Sequence, residues 1–560
     1  MTSQKLLYQS SLWLIALALL AGCVPIQPAP AAQPAAGTSV VGHTHELPEA
    51  LGTVGFSVSC TTEAQAAFNH GVALLHSFWF EPAIDSFRQA VQLDPTCAMG
   101  HWGVAMSKLG IPWSPTPEAD LADGQAAVAE ALAIGGQTPR EKAYIAAIAA
   151  FYQDAATLDH GARALAYEDA MAQVAQAYPE DTEAQIFYAL ALLITAPPTD
   201  KSYTNQEKAQ AILEPLFAQY PDHPGIAHYL IHTNDYPSLV AGGLEAANRY
   251  AAIAPAAPHV QHMPSHIFSR LGDWQASIDA NRAAVAAAKA ALPADHLADV
   301  AVEPALHAMD YMMYAHLQLA QDGAAKALLD EINVLAQATG DFGSAYALAA
   351  IPARYALERG AWAEAADLTL PPATFAWERF PQAEALVVFA RGLGAARAGD
   401  VAAARQALAE LQAMHNTLVE ANNSYWAGQA AIQAKMVEAW IALVENQPDA
   451  ALALAQEAAA LEDLTEKHPV TPGLVKPAYE LLGELLLELG KPAEALLAFE
   501  TLLVDDPHRF RGVYGAAQAA ELAGDKAKAK SYYTALVDLA AAADGERAEM
   551  AAAQAFLAQP

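Results

Sequence analysis

One spacing constrains this chain more than any other feature. Gly71 is followed by Ala83, Phe87 and Pro95, at distances of 12, 16 and 24 residues. Gly483 is followed by Ala495, Phe499 and Pro507 at the same three distances. Gly392, Ala404 and Leu408 repeat the first two, and Gly515 with Ala527 repeats one. This spacing suits a pair of antiparallel helices. The glycine lets the first helix approach its neighbour, the alanine faces it across the hairpin, the large apolar residue fills the space between hairpins, and the proline ends the second helix. Turns at Leu271-Gly272-Asp273-Trp274, Arg359-Gly360-Ala361-Trp362, Ala398-Gly399-Asp400, Leu489-Gly490-Lys491-Pro492 and Ala523-Gly524-Asp525 join further helical runs. In each, a glycine is expected to close one helix in a left-handed conformation. Thr138-Pro139-Arg140-Glu141 has the order of a capped helix start.

The pattern resembles the tetratricopeptide repeat. It departs at Leu74 and Leu486, three residues after the glycines, where that repeat often carries tyrosine. The expected fold is all-α, a right-handed α-solenoid of tetratricopeptide-type hairpins. It is expected to run over residues 60–470, with C-terminal repeats over 471–560. Pro-rich or irregular breaks at 110–122, 196–206 and 290–301 read as rim loops. No strand pattern and no second fold are read from the sequence. Alanine dominates a 54% hydrophobic composition, and it favours closely packed helices. The net charge of −33 excludes a nucleic-acid partner, whose binding rests on Lys and Arg.

The N-terminus carries Lys5, an apolar run from Leu12 to Ala21, and then Leu20-Ala21-Gly22-Cys23. The run is too short for a membrane span, and the ending resembles a bacterial lipobox. Residues 1–22 are therefore expected to be a lipoprotein signal peptide, with Cys23 lipidated. A flexible Pro/Ala-rich tether is expected over 23–59, with no role for His43 and His45. The location that follows is the cell envelope, extracytoplasmic and anchored to a membrane through lipid. In that oxidising setting Cys60 and Cys97, one at each end of the first hairpin, form either a disulfide or two free thiols.

Histidine marks the centre. Of 18 histidines, nine fall between His223 and His316. His228 and His232 are four apart; His259, His262 and His266 are spaced by three and four; His307 precedes Asp310 and Tyr311. Such spacings place imidazoles on one helix face, with Pro264 placing a helix start inside the second group. If these segments are first helices of successive hairpins, His228, His232, His259, His262, His266, His307 and Tyr311 line one concave groove. Paired imidazoles can hold zinc or copper, so His228, His232, His262 and His266 are candidate ligands of a divalent transition metal. Asp222, Asp235 and Asp310 are candidate partners for them. The His-Glu-x-x-His signature is absent, no nucleophile accompanies the cluster, and no catalytic residue is assigned. Arg509, Arg511 and Lys476 are expected to pair internally with Glu480 or Glu484. Trp79, Trp102 and Trp113 are expected to pack between helices.

His-Pro-Gly-x-x-His-Tyr-x-Ile-His, from His223, followed by His-x-x-His-Met-Pro-Ser-His-Ile, from His259, is similar to segments of bacterial tetratricopeptide proteins of uncharacterised function. So are Leu75-His76-Ser77-Phe78, the stretch Asp94 to Gly103, and Pro477 to Tyr533. The resemblance implies a shared architecture and brings no activity. The leading expectation is a membrane-anchored scaffold that binds a peptide, protein or small ligand in the histidine-lined groove. The alternative is a metal-binding protein, or a metal-dependent enzyme, that uses the cluster.

Overall fold

The computed structural model describes residues 50–292, 300–335, 337–370 and 375–559. The expected signal peptide, Cys23, His43 and His45 lie outside them. Residues 50–59 do not behave as a tether: Leu51 and Phe56 are buried, and the Thr53 amide donates to the Asp222 carbonyl. Phe56 packs edge-on against Phe68 and Trp102, which is why the ordered body starts before the first helix.

The described residues form 26 α-helices joined mostly by short turns. Each helix packs on the next, and first helices also touch first helices of adjoining hairpins, as Thr62–His76 does with Ala98–Lys108. The result is the expected all-α solenoid of hairpins. It winds tightly enough that Thr62–His76 touches Pro224–Thr233, and Glu303–Gln318 touches Phe510–Leu522. Among the described residues, the strands are limited to one two-residue parallel pair, Val300–Ala301 and Gln337–Ala338. Among the described residues, no helix is long and apolar enough to cross a membrane.

The repeat spacing has the packing basis expected of it. The Phe87 ring sits between two glycines, so that a Cβ at Gly71 would lie 2.8 Å from it and one at Gly103 only 2.3 Å. Phe499 stands in the same relation to Gly483 and Gly515, at 2.6 and 2.3 Å. The large apolar residue is thus the wedge between consecutive first helices, and glycine is what lets it enter. The turn glycines Gly272, Gly360, Gly399, Gly490 and Gly524 all have positive φ. Thr138 and Glu141 form a reciprocal capping box. Cys60 and Cys97 are joined as a disulfide across the first hairpin, with Cα atoms 5.1 Å apart.

Two large apolar cores result, one from Leu51 to Ile267 and one from Leu306 to Ala553. No break at 470 separates the C-terminal repeats. Instead residues 463–477 form an irregular strap between helices Pro448–Glu462 and Ala478–Glu488. Behind it is a buried ion-pair group. Arg509 binds Glu480, Glu358 and the Tyr314 hydroxyl, Lys476 donates to Glu480 and Glu484, and Arg511 donates to Glu484.

The wedge makes a direct prediction. Gly103→Ala should destabilise the fold by about 1–3 kcal/mol through overpacking against Phe87. Gly428→Ala lies in an exposed helix interior with nothing within 4 Å of the new Cβ, so it should be neutral or stabilise by up to about 1 kcal/mol. Urea denaturation of both variants reads the difference, and equal effects would contradict the wedge.

Candidate metal centre

Three successive first helices carry the histidines to one place. Pro224–Thr233 presents His228 and His232. The next hairpin's first helix is broken into Pro258–His262 and Pro264–Leu271, which carry His259, His262 and His266. Glu303–Gln318 presents His307 and Tyr311. Proline stands in the first turn of all four segments, where its missing N–H costs no hydrogen bond and its fixed φ starts the helix. Gly225 is required for another reason: a Cβ there would lie 2.5 Å from His76 Nδ1.

The six imidazoles sort into two triads, each with its ligand atoms within 4.8 Å of one another. They are His228, His232 and His259, and His262, His266 and His307. The four residues expected to share one ion are therefore split between two triads, and His259 and His307 complete them. Each triad is an i,i+4 pair from one hairpin plus a third histidine from the next. The triads adjoin: the His232 and His266 ring centres are 5.5 Å apart, and those of His259 and His262 are 5.9 Å apart.

Hydrogen bonds at the far nitrogens fix the tautomers. Asp235 is a carboxylate: burial alone would raise its pKa, but Lys467, Arg270 and His266 hold it well below the ordinary value. It can only accept, so His266 Nδ1, 2.9 Å away, carries the proton. Asn281 donates its amide nitrogen to the Ser277 carbonyl, so its oxygen faces His262 Nδ1 at 2.6 Å and accepts from it. His228 Nδ1 donates to the His76 carbonyl at 2.6 Å. In neutral rings the Nε2 atoms of all three are then bare lone pairs. His262 Nε2 and His266 Nε2 nevertheless face each other at 3.0 Å, and His228 Nε2 stands 3.1 Å from His259 Nε2. His232 Nε2 is buried with no hydrogen-bond partner.

Two bare nitrogens at 3.0 Å repel unless a cation sits between them. An imidazolium would relieve the contact, but burial opposes it. His228, His232, His259, His262 and His307 are all pushed well below 6.5, first by burial and then by neighbouring imidazoles. A shared metal relieves it directly. Two nitrogens each about 2.0–2.1 Å from a tetrahedral ion stand roughly 3.3 Å apart.

A third group, His76, Glu183 and His223, is bridged by its own carboxylate, and the nitrogen it leaves unpaired, His223 Nδ1, faces no second bare nitrogen. The Glu183 oxygens accept from His76 Nε2 and His223 Nε2, each at 3.0 Å, and His76 Nδ1 faces the Tyr229 hydroxyl at 3.0 Å. The Nε2 protons go to the carboxylate and the Tyr229 proton to the His76 Nδ1, so no two bare nitrogens face each other in this network. It supports the centre from behind, through the carbonyl that holds His228.

The centre is enclosed rather than open as a groove. His228, His232, His262, His266 and Tyr311 are buried, and His259 is half-buried. Phe78 packs on His228 at 4.4 Å and on His259 at 5.3 Å, and Trp113 packs on His232 at 4.4 Å. Trp113 thus packs as expected, but as a wall of the centre. The strap 463–477 closes another side. Tyr311 donates to the Pro469 carbonyl, Lys467 to Asp235, the Glu466 amide to the Pro198 carbonyl, and Arg354 to Thr471. Of the three expected aspartates only Asp235 touches the histidines. Asp222 pairs with Arg249 in solvent, and Asp310 is consumed by Arg354. Sequence reasoning missed Asn281, Arg270 and Lys467. Arg270 carried a signal, being one helical turn after His266.

Fold and centre together define a tetratricopeptide-type helical repeat protein enclosing a polyhistidine site. Residues 64–97 match the tetratricopeptide repeat family. Among solved structures, yeast Tom70 is similar, with 14% identity over 88% of this chain and 95% of that one, at a TM-score of 0.32. The P58(IPK) TPR domain has 11% identity over 82% and 98%, with a TM-score of 0.20. The human IFIT1 dimer with m7Gppp-AAAA has 11% identity over 84% and 95%, with a TM-score of 0.33. No curated protein matches the sequence.

The depressed imidazoles predict a pH effect with a definite sign. Unfolded histidines protonate near 6.5, whereas these protonate only far lower, so the unfolded metal-free chain binds more protons in between. Stability of the metal-free protein should therefore fall as pH drops below about 6.5. Thermal melts from pH 7.5 to 5.5 check it; an unchanged Tm would contradict the neutral state of these buried rings.

Proposed function

We propose that this chain is a lipid-anchored repeat scaffold of the bacterial cell envelope that holds a pair of transition-metal ions, one in each histidine triad. One observation carries the reading: His262 Nε2 and His266 Nε2 face each other at 3.0 Å while both Nδ1 atoms are committed as donors. The donor set is six imidazoles, with no carboxylate or thiolate. Such a set suits zinc, copper or nickel and does not suit calcium or magnesium, which take oxygen ligands. Asp235, Asn281 and the His76 carbonyl orient the ligands, the role that outer partners play around metal-bound histidines. The anchor at Cys23 rests on the sequence alone. A peptide bound directly to these histidines is the less favoured reading, because Phe78, Trp113 and the strap already cover them.

Elemental analysis of the purified mature protein tests this. About two transition-metal ions per chain are expected. His232→Ala and His262→Ala should each remove about one of them with helix content unchanged, and the double variant should remove both. A substoichiometric metal content that the substitutions leave unchanged would overturn the proposal.

A further inference from the structure

The charge around the two triads bears on which ions they hold. All six donors are neutral. Cys60 and Cys97 are tied in a disulfide, so among the described residues no thiolate is at hand. Asp235, the carboxylate in contact with the histidines, is already shared among His266, Arg270 and Lys467. Among the described residues, therefore, no anion stands between two ions whose ligand rings lie 5.5 to 5.9 Å apart. Repulsion scales with the product of the charges, so two dications in this buried site repel about four times as strongly as two monocations at the same separation. A monovalent ion that accepts imidazole donors relieves that strain, and copper(I) is such an ion. Copper also heads the affinity order for nitrogen sites in its divalent state.

Oxidation would restore the charge problem unless an anion arrived with it. The surroundings suit a small, neutral entrant that becomes an anion on reaction. Phe78 and Trp113 give an apolar aromatic wall against His228, His232 and His259. His259 is the half-buried member and marks the side nearest solvent. Arg270 and Lys467 stand fixed beside Asp235 as positive charges close to His266.

Resting on the reading of both triads as metal sites, we infer that the ions are copper and that the copper(I) pair takes dioxygen as its substrate. Each copper gives up one electron, and dioxygen is reduced by two electrons to the level of peroxide between them. Two copper(I) become two copper(II), the O–O bond order falls from two to one without cleavage, and no proton is consumed. The metals are the reductant, so a single turnover needs no other donor. The dianion formed offsets the charge that oxidation creates, which the six neutral ligands cannot do.

The test uses the mature full-length protein. It is loaded anaerobically with copper(I), freed of excess and assayed for copper; dioxygen is then added, with uptake followed by an oxygen electrode and copper(II) by electron paramagnetic resonance. The expected result is about two copper per chain and one dioxygen consumed per two copper, with most of the copper(II) silent because the paired spins couple. His232→Ala and His262→Ala, checked for folding by circular dichroism, should each keep about one copper and lose the uptake. Two copper bound without uptake, uptake giving magnetically isolated copper(II), or uptake undiminished per copper in the single-triad variants would overturn the dioxygen inference and leave the two metal sites standing. Preferential retention of two zinc ions from an equimolar mixture with copper would do the same. Failure to retain copper or zinc at all would overturn the inference together with the metal reading beneath it.

Discussion

Two imidazole nitrogens facing each other with no proton between them set the terms for the rest of this structure. The contact between His262 Nε2 and His266 Nε2, at 3.0 Å, follows from hydrogen bonds on the far sides of both rings, where Asn281 and Asp235 accept. Asp235 stays ionised in the interior because Arg270 and Lys467 hold it. Lys467 in turn comes from the strap, more than two hundred residues away in sequence. A chain of charge and hydrogen-bond requirements thus runs from one lone-pair contact out to the element that joins the two halves. Leaving such a network partly satisfied would be costly in a buried site.

The repeat architecture suits this arrangement. Stacked first helices present one face at a regular interval, so residues from three consecutive hairpins meet without any long loop to carry them. The centre lies where the two apolar cores meet. His228, His232, His259, His262 and His266 come from the N-terminal half, and His307 and Tyr311 from the C-terminal half. The His76–Glu183–His223 group is a useful contrast inside the same molecule. It has the same residue types, equally buried, but its carboxylate gives two imidazole protons a destination. Histidine clustering alone therefore does not mark a metal site; what distinguishes the two triads is that His228, His262 and His266 have their protons placed on the far nitrogens, which leaves the Nε2 atoms of His262 and His266 bare and face to face.

Much of the fold was legible in the sequence because its register is local. Gly71, Ala83 and Phe87 lie within one hairpin, and the reason for their spacing, a ring wedged against glycine, repeats at Gly483 and Phe499. The histidines were legible as a group for the same reason, since i,i+4 pairs announce a shared helix face. Their division into triads was not, because it depends on how neighbouring hairpins rotate relative to one another, and spacing within a helix does not report that. Asp235, Asp222 and Asp310 looked equivalent in sequence. Only packing shows that Asp310 is consumed by Arg354 and that Asp222 faces solvent. The strap was invisible for a related reason: Lys467-His468-Pro469 looks like an ordinary linker until its contacts with Pro198, Asp235 and Tyr311 are seen. Residues 50–59 were read as tether because helical periodicity starts only near residue 60, while two apolar residues, Leu51 and Phe56, anchor them.

The central claim is that two ions sit in two separate triads. A crystal structure of the metal-loaded protein, with anomalous diffraction recorded on both sides of the metal's absorption edge, tests it most directly. The account predicts two anomalous peaks, one among His228, His232 and His259 and the other among His262, His266 and His307, each within bonding distance of its three nitrogens. A single peak shared by all six rings, or peaks only at surface sites with the His262–His266 contact unchanged, would contradict it.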